Sequence, residues 1–122
     1  MSEFLAGAGW GVWPTLVFGV ASLALASAHA VKPRPHVMPL IVGTGLATLF
    51  AGTLGFVTGI VACFSTLASA GFERGEPLPD MQLLALAGIS EAAANVVVAL
   101  GLAMLVALVA GAGSYRARLQ AA

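Results

Sequence analysis

Glu91 and Asn95 stand four residues apart in ISEAAANVV (89–97), a spacing that puts both on one face of a helix. A carboxylate inside an apolar segment is costly to keep charged, which makes Glu91 a candidate for ion binding or coupling. Asn95, and the Thr53 hydroxyl in LFAGTLGFVTGIVACF (49–64), are the other polar groups that could share that work. The competing reading is structural. Glu91 comes eleven residues after Asp80, close to a membrane boundary, where it would favour the helix N-terminal dipole or bond to Ser90 and Asn95. Thr44, Thr48, Thr53 and Thr58 are expected to bond back to carbonyls of their own helix.

Other chemistry finds little support. Cys63 is the sole cysteine, which excludes an internal disulfide and a cysteine-based metal cluster. No Walker loop, dinucleotide-binding glycine pattern, HExxH or nucleophile elbow occurs. His29 and His36 flank a basic linker and read as interfacial. No catalytic residue, metal or cofactor is expected, and five basic residues against five acidic ones leave no electrostatic footprint for nucleic acid.

The composition says what must position these residues. Of 122 residues, 60% are hydrophobic and 8% charged, whereas a soluble domain carries about a quarter charged residues. Three apolar segments, at about 10–31, 38–70 and 81–114, each exceed the roughly 20 residues that cross a hydrocarbon core. The expectation is an all-α integral membrane protein, 1–122 forming one membrane domain, with the second and third helices overlong. The linker KPRPHVMP (32–39) carries three prolines that break the helix, and GFERGEPLPD (71–80) is rich in turn formers. Asp80 is placed to cap the third helix. ASAHA (26–30) resembles a signal cleavage site, but MSEF has no positive side chain, so the first segment reads as a transmembrane helix.

Lys32, Arg34, Arg116 and Arg118 fall on one side of such a bundle; Glu3, Glu73, Arg74, Glu76 and Asp80 fall on the other. The positive-inside rule then places the N-terminus outside and the C-terminus in the cytoplasm, with Trp10 and Trp13 in the outer aromatic belt. Gly52, Gly55 and Gly59 form a stripe in the second segment, although each costs about 1 kcal/mol against alanine in a helix. In lipid, close backbone packing offsets that cost. Two readings follow: the stripe packs the three helices of one chain together, or, with Gly101 and other small residues in the third segment, these faces exceed what three helices satisfy alone and serve packing between subunits of a homo-oligomer, the reading preferred.

The glycine stripe has a further implication. GTLGFVTGIVACF (52–64) resembles the second transmembrane helix of the MotA/TolQ/ExbB proton-channel family, whose GLxGTVxGIxxxF pattern is matched by Gly52, Gly55, Val57, Gly59, Ile60 and Phe64. LAGISEAAANVVVALGL (86–102) is similar to the GIxEAL start of that family's last helix, matched by Gly88, Ile89, Glu91 and Ala92. The resemblance covers roughly residues 52–118. It implies a ring, usually a pentamer, in the bacterial inner membrane, surrounding single-span partners of the ExbD/TolR/MotB type that carry the ion-binding aspartate. The family register turns Phe56, Ile60, Val96 and Ala103 toward the pore. Phe56 and Val96 stand where the family has threonine, Leu105 stands near its proline, and the large cytoplasmic insertion is reduced to the 32–39 linker. That pore wall is almost wholly apolar, which implies a scaffold whose ion conduction is reduced, altered or lost. Two other readings remain: a small ion-coupled transporter or rotor subunit using Glu91, and a non-conducting structural subunit in the membrane.

Overall fold

The computed structural model describes residues 9–75 and 80–122. Glu3 and Glu76, which enter the charge reading, lie outside the described residues, as does the side chain of Arg74. The described chain forms α1 (Val12–Val31), a 3-10 turn (Pro35–Val37), α2 (Met38–Arg74) and α3 (Met81–Ala121), with no β-strand among the described residues. All three α-helices are long and apolar enough to cross a membrane, the architecture of a multi-pass membrane protein.

Helix limits follow from backbone chemistry. Pro14 sits in the first turn of α1, where its missing N–H removes no intrahelical bond. Lys32 turns to extended backbone at the other end, and Pro33 and Pro35 prevent continuation. Pro39 again occupies a first turn, that of α2. Gly71 does not end α2; Gly75 does, in the left-handed conformation at φ 66°, with its N–H donating to the Phe72 carbonyl. α3 continues past 114 to Ala121, because Arg116, Ala117, Arg118, Leu119 and Gln120 are all good helix formers. The expected Asp80 side-chain cap is absent. Asp80 precedes α3 at φ 58°, ψ 30°, whereas a capping side chain reaches the free N–H groups from an extended backbone.

The core is built from small residues at alternating spacings of three and four. In α1 the buried positions are Val12, Thr15, Gly19, Ser22, Ala26 and His29. On α2 they include Ile41, Thr48, Gly52 and Gly55, and on α3 Ala92, Asn95, Ala99, Val106, Ala110 and Gly113. A repeat near 3.5 residues keeps each seam facing its neighbours only if the helices wind left-handed around one another.

The glycine stripe of α2 is filled from within the chain. Gly52 lies against Ala99, Gly55 against Asn95, and Gly59 against Ala92, where a Cβ added to the glycine would come within 2.8 Å of the alanine Cβ. Gly11, just before α1, meets the Gly55 backbone from the other side. Of the two readings of this stripe, the packing seen is the one within the chain: α1 and α3 lie against it, and each glycine lets a helix of the same chain approach closely enough to gain dispersion contacts. Gly101, also expected at a helix contact, has nothing within 4 Å of its missing side chain. Two residues past Ala99, it is rotated about 200° from the seam.

Register between the helices is uneven. The N-terminal end of α1 is level with Gly55 and Asn95, and its C-terminal end with Gly113. Its 20 residues span about 30 Å, the thickness of one hydrocarbon core. α2 and α3 run on beyond Gly55 and Asn95 as a pair, joined through Gly59–Ala92 and Cys63–Gly88.

Candidate functional site

Asn95 is 1% exposed and fills the space left by the missing side chain of Gly55. A Cβ on that glycine would lie 3.0 Å from the Asn95 Cγ and 3.3 Å from its Nδ2. Glu91, one turn earlier, is exposed at the rim of the same seam. It lines a cleft of about 390 Å³ with Gly59, Cys63, Thr66, Leu67 and Gly88, among others. The two residues share a helix face, yet one is held in the core and the other opens outward.

Thr53 is exposed, and its hydroxyl donates to the Leu49 carbonyl at 2.9 Å. Thr44, Thr48 and Thr58 bond back to α2 in the same way. These bonds satisfy the hydroxyl donors without any ligand. Phe56, Ile60, Val96 and Ala103 are all half-buried. Ala103 lines a groove of about 370 Å³ between α2 and α3 that includes Leu46, Leu49, Val106 and Ala107 and is apolar throughout. Leu49 and Phe56 are seven residues apart on one face of α2, as Val96 and Ala103 are on α3.

The second cluster forms at the basic end of the bundle. His29 is 5% exposed, and its Nδ1 accepts the Arg34 backbone N–H at 3.2 Å. A nitrogen that accepts carries no proton, so the neutral ring has its proton on Nε2, which lies 3.4 Å from the Ser114 Oγ. This arrangement is the reverse of a serine–histidine dyad, where Nδ1–H is held by an acceptor and Nε2 is free to take the serine proton. It ties the 32–37 linker to α1 and α3 and gives Ser114 no general base. Arg116 adds a second tie, donating from Nη1 to the Ala30 carbonyl at 3.3 Å, at the C-terminal turn of α1.

Both histidines flank the basic linker as read, His36 exposed and His29 buried against the neighbouring helices. The signal was present in the sequence: position 29 completes the run 12, 15, 19, 22, 26, 29 on α1. Lys32, Arg34, Arg116 and Arg118 are all exposed around this end. No group of three or more His, Cys, Asp or Glu side chains that could hold a metal ion occurs among the described residues. No family model, curated protein or solved structure matches the chain.

Proposed function

We propose that the chain is a ring-forming subunit of a membrane energy-transducing complex resembling the MotA/TolQ/ExbB type, a scaffold around single-span ExbD/TolR/MotB-like partner helices. The orientation in this reading is N-terminus outside and C-terminus cytoplasmic, in a bacterial inner membrane. The observation that carries it is the apolar α2–α3 groove, which α1 does not line. Phe56, Ile60, Val96 and Ala103 lie half-buried on the helix faces that continue it. A partner helix with an apolar face fits such a wall, whereas an ion crossing it alone meets almost no polar group.

Contacts between copies have small residues available. Gly43, Gly101 and Gly111 have nothing within 4 Å where a side chain would be, so intrachain packing does not use them. Glu91 supports a structural role better than a coupling role, because it lies one turn beyond Asn95, the residue level with the N-terminal end of α1. A rotor carboxylate would need to sit near the middle of the span. Native mass spectrometry in mild detergent tests the proposal: a pentamer retaining one or two small single-span chains supports it, and a monomer overturns it.

A further inference from the structure

All five acidic residues, Glu3, Glu73, Glu76, Asp80 and Glu91, lie outside α1, the 32–37 linker and the last 30 residues of α3. The basic end therefore gathers Lys32, Arg34, Arg116 and Arg118 without a carboxylate side chain from the same stretches to balance them. Beside the linker opens a cleft of about 520 Å³, with Lys32 and Arg34 among its lining residues and an apolar wall of Leu25, Ala28, Val31 and Val37. The loop that carries the two cations is held by the His29 bond to the Arg34 backbone.

We infer that this cleft binds an anionic phospholipid, its phosphate between Lys32 and Arg34 and an acyl chain along Leu25, Ala28, Val31 and Val37. Charge complementarity selects the head: guanidinium recognises phosphate oxygens in a planar fork, and the lysine ammonium adds a point charge. Depth selects a lipid over an acidic peptide. Leu25 lies seven residues, about 10 Å, deeper along α1 than Lys32. At that depth an extended peptide leaves backbone N–H and C=O groups unsatisfied, whereas a hydrocarbon chain does not. The inference rests on the membrane-spanning bundle and not on the ring, so it stands or falls independently of oligomer number.

The test is native mass spectrometry of the purified protein titrated with phosphatidylglycerol, phosphatidylcholine or inorganic phosphate. Phosphatidylglycerol adducts are expected to persist where phosphatidylcholine adducts dissociate. In Lys32→Gln/Arg34→Gln, affinity for phosphatidylglycerol should fall about 30-fold, from the loss of two surface cations. Both side chains are exposed and the His29 bond uses the main chain, so the fold should survive, as circular dichroism will report. The exchange Lys32→Arg/Arg34→Lys should keep binding, and Arg118→Gln, outside the cleft, should leave it unchanged. Equal retention of both lipids overturns the inference. An Arg118→Gln loss as large as that of the double variant reduces it to general electrostatic attraction, and displacement by inorganic phosphate alone marks a small-anion site instead.

Discussion

Gly11 and Gly55 meet backbone to backbone: a Cβ on Gly11 would stand 2.8 Å from the Gly55 Cα. Because Gly55 also receives Asn95 on its side-chain position, this one residue joins all three helices at the level where α1 begins. The Gly11–Gly55 contact has no flexible side chain that can move aside, so the substitutions below should separate packed glycines from free ones.

Gly11→Val should destabilise the folded chain by about 1–3 kcal/mol or more, as overpacking does where the obstacle is backbone. Gly101→Ala should be neutral or stabilising by up to about 1 kcal/mol in the isolated chain, since nothing opposes the new methyl group and alanine is the better helix former. Unfolding in detergent, followed by loss of helical signal, measures both. Equal losses for the two variants would contradict the packing described.

Gly55 and Asn95 should be energetically coupled. Gly55→Ala places its methyl 3.0 Å from the Asn95 Cγ, and Asn95→Ala removes that obstacle. The double variant should therefore be more stable than the sum of the single changes implies, by at least about 0.5 kcal/mol in a double-mutant cycle. Additive losses would mean that the carboxamide does not press on the glycine.

His29→Ala removes the acceptor of the Arg34 N–H and the contact with Ser114, and should cost about 1–3 kcal/mol. Ser114→Ala, which removes only the weaker contact, should cost less. Hydrogen exchange supplies the local readout: the Arg34 amide should exchange faster in His29→Ala and remain protected in Ser114→Ala. Unchanged exchange at Arg34 in both would show that His29 does not hold the linker.

If the ring reading holds, polar groups restored to the apolar wall should admit ions. Phe56→Thr/Val96→Thr in liposomes, assembled with its single-span partner, should raise proton or sodium flux above the native level, while Glu91→Gln should leave native behaviour unchanged. A loss of ion-dependent activity in Glu91→Gln would instead favour the transporter reading.

The membrane class, the three helices and their breakers were legible from one sequence because each rests on local chemistry. Apolar length, proline without an N–H, and hydroxyls that bond back within a turn need no partner, and the back-bonds of Thr44, Thr48, Thr53 and Thr58 follow from this alone. The glycine stripe announced close packing, but not with which helix. A missing side chain specifies room for a neighbour, and only the register of α1 and α3 decides that Gly11, Asn95, Ala99 and Ala92 take it. The same register divides Glu91 from Asn95, since one turn along a seam moves a side chain from the core to its rim. It also turns His29 inward: a spacing of three and four places it on a seam, but its bonds to Arg34 and Ser114 exist only because the linker folds back and α3 ends alongside.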